Sequence, residues 1–338
     1  MTPLRLALVG TGRIAGDWLR VVRDVPALRL VAVADAQIEL ARAVAESHAV
    51  PAFGSIDELA AAVEIDAAIV AVPPSSHEEV SIRALDAGAH VLCEKPFALD
   101  LASAERMFAA ADVRERHLTM SAKFRHVPDV IAAKARLDAG AVGRPLFVRQ
   151  TFGGVVPMEG RWNADRAVSG GGVWIDNGTH SVDLLRYLFG PLAWVQASSP
   201  QNVQPVHVED SIRVVCGFDA TRNGDAGVTA VIDTSWSVPA TDPFYLECFG
   251  TAGSLHLGWS ESVIRNDARR EHRIGDGYEK LVALRGALAH FVAAATGVET
   301  PVLSRDDIRA SVVAVEAAYR SCSRNGSRVD IRGGLAAP

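Results

Sequence analysis

The sequence predicts an α/β chain in two parts: a parallel sheet built from βαβ units, then a second domain on a largely antiparallel sheet. Three observations predict it. Short apolar runs first alternate with segments whose apolar residues recur every three or four positions, that alternation stops near residue 120, and strand-like runs separated by turn-rich segments then take over.

In the first part, 4–9, 28–34, 67–72 and 90–93 read as strands, and 13–23, 38–47, 56–63 and 76–87 as helices. Ser55 and Ser76 stand where N-caps belong, and Gly54 and Gly88 mark turns or helix ends. A helix at 101–111 capped by Asp100, a strand at 118–122 and a helix at 130–137 follow. Strands are then expected at 147–152, 194–198, 211–218, 228–237, 244–249 and 254–257, without the helical crossovers that parallel pairing needs. Helices at 281–295 and 308–321 close the chain, and the charge-rich stretch 265–277 reads as a solvated loop. The expected domains are 1–122 and 123–338.

Composition narrows the function classes. The chain has 338 residues, 49% of them hydrophobic and 22% charged, which is too apolar for disorder and too interrupted by charge for a membrane bundle. Its apolar runs fall far short of the ~20 residues of a spanning helix. A net charge of −6, from 34 basic and 40 acidic residues scattered along the chain, leaves no basic footprint for nucleic acid. Cys93, Cys216, Cys248 and Cys322 form no C-x-x-C pair and read as free thiols, and Met1 to Val9 has no signal-peptide pattern, so a cytoplasmic protein is expected.

Gly10-Thr11-Gly12-Arg13-Ile14-Ala15 follows the first strand and opens the first helix, as in the dinucleotide fingerprint. Gly10 permits the tight turn, Gly12 lets backbone approach a pyrophosphate, and Ala15 permits close helix–strand packing. Asp35 ends the second strand about 20 residues on, where an acid binds ribose hydroxyls. No lysine or arginine follows among Ala36, Gln37 and Ile38 to clamp a 2′-phosphate, so NAD is favoured over NADP. Arg13 and Ile14 join Gly10, Gly12 and Asp35 as candidate cofactor contacts.

Glu94-Lys95-Pro96 follows the strand at 90–93, so Lys95 belongs near the carboxyl edge of the sheet, where open α/β folds bind ligands; a solvated charge pair at a chain bend fits the same residues. His77, after Pro73-Pro74, fits either a cofactor contact or a surface or capping residue. The run from Gly170 to Asp183 reads as a loop entering a helix that begins near Ile175, with Asp176 and His180 four apart on one face and Asp183 a turn further. A carboxylate can orient an imidazole there, and a capped amphipathic helix with an incidental histidine is the plainer reading. No cysteine or second histidine joins them at ligand spacing, so no metal is expected.

In this order the segments Gly10 to Ala15, Pro73 with His77, Glu94-Lys95-Pro96 and Asp176-x-Gly178-x-His180 resemble the Gfo/Idh/MocA family of NAD(P)-dependent oxidoreductases over nearly the whole chain. The resemblance implies an N-terminal Rossmann domain and a C-terminal α/β domain on an open, mostly antiparallel sheet. It also implies a catalytic set of Lys95, Asp176 and His180, with Pro73, His77, Glu94 and Lys95 beside the cofactor. Val72 stands where relatives often carry threonine, and Lys123-Phe124-Arg125-His126 has lysine and histidine for the family's asparagine and tyrosine. Lys95, Lys123, Arg161, Trp162, Asn177 and His180 are the implied substrate contacts. The implied activity is hydride transfer between NAD and a secondary alcohol of a sugar, cyclitol or related polyol, as in inositol dehydrogenases. A non-catalytic NAD-binding regulator and an NAD-dependent glycoside hydrolase are the alternatives. A homodimer or homotetramer is expected through the antiparallel sheet, whose later strands carry Val228, Val231, Trp236 and Phe249.

Overall fold

The computed structural model describes residues 2–219, 227–239, 242–266 and 270–332. The chain divides into two compact units, Met1–Lys123 with Lys280–Ile308, and Phe124–Glu279 with Arg309–Pro338.

The first unit is built on β1 (Leu4–Val9), α1 (Arg13–Val22), β2 (Leu28–Ala34), α2 (Ile38–His48), β3 (Ala52–Phe53), α3 (Ile56–Ala62), β4 (Ala67–Val70), α4 (His77–Asp86), β5 (His90–Cys93), α5 (Leu101–Val113) and β6 (Leu118–Met120). The six strands pair in parallel in the order β3-β2-β1-β4-β5-β6. That is the doubly wound order, in which ligands bind at the carboxyl ends of β1 and β4, where the strand order reverses. The strands are buried on both faces, which is why 67–70 reads as Ala-Ala-Ile-Val without alternation. Ser55 and Asp100 cap α3 and α5 through hydrogen bonds from the Glu58 and Ser103 amides.

In the second unit, α6 (Pro128–Asp138), β7 (Pro145–Gly153), α7 (Arg166–Ser169) and α8 (Thr179–Phe189) precede β8 (Leu192–Ser198), β9 (Ser211–Phe218), β10 (Thr229–Ser235), β11 (Phe244–Gly250), β12 (Gly253–Gly258), β13 (Ser262–Asn266) and β14 (Glu271–Gly275). After α9 (Lys280–Ala295), α10 (Arg305–Ser323) and β15 (Val329–Asp330) complete the chain. The nine-stranded sheet runs β14-β13-β12-β11-β7-β10-β9-β8-β15 and is antiparallel except for the parallel β7–β10 pair. Alternation is clear in β9, where Ile212, Val214 and Cys216 are buried while Arg213 is exposed.

Three expectations need correction. Residues 280–308 return to the first unit instead of staying within 123–338, because Leu284, Leu288, Phe291 and Val292 of α9 join the core formed by Trp18, Val21 and Val22 of α1. The stretch 265–277 is not a loop: β13 and β14 pair across Arg265 and Glu271, whose side chains bond at 2.6 Å, while 267–269 lie outside the described residues. Val228 and Trp236 are buried, so neither belongs to an open sheet face.

Candidate functional site

The candidate cofactor site is contained in the first unit. Gly10 has φ +93°, and a Cβ there would lie 2.5 Å from the Ala71 backbone, so β1 and the chain leaving β4 approach at a distance only glycine allows. Its amide bonds the Ala34 carbonyl at 2.8 Å. Asp35 accepts from the Thr11 amide at 2.7 Å, the Thr11 hydroxyl at 2.8 Å and the Gln37 amide at 2.9 Å, which fixes its carboxylate beside the turn. Gly12 is the N-cap of α1, makes no side-chain cap bond, and has no acid in the turn that follows. A Cβ on Gly12 would meet no protein atom within 4 Å, so internal packing does not require glycine there. These residues fit a dinucleotide: an anion is favoured at the helix start, and a carboxylate is anchored where ribose hydroxyls belong. Arg13 is exposed and Ile14 half-buried beside them.

The lysine loop is held from below. Glu94 accepts from the Trp18 indole at 2.9 Å and from the Lys95 amide at 3.0 Å, and the Lys95–Pro96 peptide is cis. His77 faces the Pro96 carbonyl with Nδ1 at 2.7 Å and the Val72 carbonyl with Nε2 at 2.9 Å. Burial lowers its pKa, against the pull of those carbonyls and Glu94. His77 and Glu94 therefore brace the loop from within, through the Pro96 and Val72 carbonyls and the Trp18 indole. Lys95 and Pro73 are half-buried, on the loops after β5 and β4.

The second unit carries Asp176, Asn177 and His180, all half-buried. They do not share one regular α-helix beginning near Ile175: Trp174–Gly178 forms a π-helical turn and α8 starts at Thr179. Gly178 explains the tight packing, since a Cβ on it would lie 2.2 Å from the Trp174 ring. The His180 ring stands edge-on to Phe124 at 5.3 Å, and Phe124 stacks on Phe152 at 5.3 Å and Tyr278 at 5.1 Å. Asp183 pairs with Arg125 at 2.8 Å, with both side chains no more than 4% exposed, and Arg125 also lies over the Tyr187 ring. That pair ties α8 to the turn at Lys123–His126; removing one partner would strand a buried charge.

The structure thus gathers Gly10, Gly12 and Asp35 at one turn, Glu94, Lys95 and His77 around the ends of β4 and β5, and Asp176, Asn177 and His180 along one turn. Arg161 and Trp162 stand apart at a short 3₁₀ turn, Trp162 being 46% exposed. Lys123 is half-buried at the end of the first unit. Sequence reasoning missed the brace from Trp18 and the Arg125–Asp183 pair, and the charged stretch Lys123-Phe124-Arg125-His126 gave no sign of which charge is buried.

A doubly wound sheet with this glycine turn and anchored acid defines a nicotinamide-dependent oxidoreductase. Residues 4–122 match the oxidoreductase family with an NAD-binding Rossmann fold, and 130–256 match the Gfo/Idh/MocA C-terminal domain. The chain belongs to the Gfo/Idh/MocA family, and its cofactor is NAD. It is 27% identical to a D-apiose dehydrogenase of Paraburkholderia graminis, over 97% of this chain and 82% of that one. It is 29% identical to a 1,5-anhydro-D-fructose reductase of Ensifer adhaerens, over 70% and 74% of the two chains. A levoglucosan dehydrogenase solved with NADH shares the fold, with a TM-score of 0.86 at 21% identity over 99% of this chain and 100% of that one.

Proposed function

We propose that this enzyme transfers a hydride between NAD and a secondary alcohol of a sugar, cyclitol or related polyol, with Lys95, Asp176 and His180 as its catalytic set. What supports the reading is that each unit carries its own part of the chemistry: the first a lysine on a braced loop at the ligand-binding edge of the Rossmann sheet, the second a carboxylate and an imidazole on one half-buried turn. NAD supplies the hydride acceptor in the oxidative direction. His180 removes the hydroxyl proton as general base, a role worth about 10² to 10⁴ in rate. Asp176 favours the imidazolium that results, and the Lys95 ammonium stabilises negative charge developing on the substrate oxygen. The bracing of the loop by Glu94, Trp18 and His77 keeps Lys95 from spending that interaction on rearrangement. Lys123, Arg161, Trp162 and Asn177 are assigned to substrate recognition.

The relatives act on sugars and sugar-like alcohols by name, which supports this substrate class. Screening aldoses, anhydrosugars and cyclitols with NAD, read as NADH absorbance, should give turnover with at least one of them. Cofactor binding with no redox turnover, but sugar-dependent association with another protein, would replace the reading with that of a regulator.

A homodimer or homotetramer is assigned to the open face of the large sheet. Phe147 is 63% exposed there, with half-buried Phe249 opposite it in register and half-buried Val231 on β10. Light scattering at micromolar concentration should return a multiple of the chain mass, and a monomer mass would contradict the assignment. Among the described residues no helix is long and apolar enough to cross a membrane. Buried free thiols at Cys93, Cys216 and Cys248 support a reducing, cytoplasmic location, which recovery from an oxidising compartment would contradict.

A further inference from the structure

We propose that Glu209 and Tyr319 are positioning residues for the Asp176–His180 turn, forming a cap that arrives from distant parts of the chain. The first four amides of a helix have no partner within it and must find one elsewhere. Here the Gly172 amide donates to both Glu209 carboxylate oxygens at 3.1 Å, and the Val173 amide to the Glu209 carbonyl at 2.9 Å. The Trp174 amide donates to Glu209 Oε1 at 3.1 Å, and the Ile175 amide to the Tyr319 hydroxyl at 3.2 Å. The next amide, that of Asp176, makes the first bond inside the helix, to the Gly172 carbonyl at 3.2 Å. Four consecutive amides are therefore satisfied by two residues, and the Tyr319 hydroxyl closes the arrangement by donating to Glu209 Oε1 at 2.8 Å.

The glycine run is what this approach demands. A Cβ on Gly171 would lie 2.1 Å from the Tyr319 hydroxyl, and one on Gly172 would lie 2.0 Å from the Glu209 carbonyl oxygen. An ordinary cap is a neighbouring Ser, Thr, Asp or Asn serving one amide. This one comes from 37 and 144 residues downstream of the amides that it serves. The Trp174 indole adds a second tie, donating to the Val315 carbonyl of α10 at 3.3 Å. A carboxylate at the positive end of a helix is electrostatically favourable, and burial together with Glu209 keeps the Tyr319 phenol protonated.

The capped amides run up to the residue before Asp176, so the cap sets the rotation at which the turn presents Asp176 and His180. It reaches into the first two residues of the π-helical turn, a geometry frequent at functional sites. The inference rests on the catalytic assignment of Asp176 and His180 made above, and a displacement of about 1 Å in such groups costs on the order of 100-fold in rate.

The test uses the full-length enzyme with NAD and the substrate found by the screen. Tyr319→Phe removes one hydroxyl and keeps the ring; Glu209→Gln keeps one carbonyl oxygen. Each should lower kcat about 10- to 100-fold while substrate KM and NADH Kd stay within about twofold. Amide hydrogen exchange at 172–175 should accelerate in both variants. In a His180→Ala background Tyr319→Phe should cost nothing further, because the group through which it acts is gone. Unchanged kcat in both single variants, or the same fold-loss with and without His180, would overturn the inference alone. Near-normal turnover in His180→Ala would overturn the catalytic assignment, and the inference with it.

Discussion

Two glycine-rich helix starts in this molecule look alike in sequence and are used in opposite ways. At Gly10–Ala15 the start of α1 has no side-chain cap and no acid in its first turn, and the space over Gly12 is clear of protein atoms. At Gly170–Gly178 the corresponding amides are filled by Glu209 and Tyr319, and Gly171 and Gly172 are needed because those groups press against them. The first start is arranged for an anion that the protein does not itself provide; the second has its anion built in and serves as a scaffold. Glycine content alone therefore does not identify a phosphate site. The deciding observation is what a Cβ would touch.

The sharpest way to break this comparison is to add a side chain at each start. Gly12→Val should reduce NADH affinity roughly tenfold or more, a loss of at least about 1.4 kcal/mol of binding, with little change in melting temperature. Gly172→Val should do the reverse, destabilising by about 1 to 3 kcal/mol through overpacking against Glu209, with NADH affinity nearly unchanged. Calorimetric titration and a thermal melt of each variant decide it; equal effects on binding would erase the distinction.

A smaller effect is expected at Asp35. Its carboxylate is held beside the first start by Thr11 and Gln37, ready for ribose hydroxyls and hostile to a 2′-phosphate. Titration with each reduced cofactor should show tighter NADH than NADPH binding. Asp35→Ala should shrink that preference by about tenfold, the scale of a charged hydrogen bond. Equal or tighter NADPH binding by the unaltered protein would contradict the role.

The smallest effect is acid sensitivity of the unit that holds the first start. Burial lowers the pKa of His77, His90 and His117, the last to about 4 with help from His90, His290 and Arg305. Such groups resist protonation in the folded chain more than in the unfolded one, where histidine protonates near pH 6.5. Their contribution is complete above pH 6.5 and is lost as the pH falls from there toward 4. Hydrogen exchange at pH 7 and pH 5 should show a greater loss of protection in α1 than in α8, reduced by His117→Gln. Equal losses would show that the units do not differ in this way.

What the sequence revealed, and what it hid, follow from range. The turn at Gly10 and Gly12, the strand-end Asp35 and the loop holding Lys95 were legible because turns and strand ends are written in adjacent residues, whereas the π-helical turn at Trp174–Gly178 was not. The bracing by His77 and Glu94 was not legible, because a local motif does not say which way a ring or carboxylate faces: both bond the protein's own loop. Glu209 and Tyr319 left no local signal, since each becomes a cap only when the chain has folded back across 37 or 144 residues. The return of Leu284 and Phe291 to the first core was hidden likewise, as an amphipathic helix does not name its partner.

The central claim is that binding belongs to the first start and chemistry to His180 on the second, assisted by Lys95. It is tested most directly by measuring kcat and NADH Kd of His180→Ala on the substrate that the screen identifies. The account predicts a fall in kcat of about 10² to 10⁴ with NADH Kd unchanged within about twofold. Near-normal turnover would show that the histidine is only structural and would contradict the account.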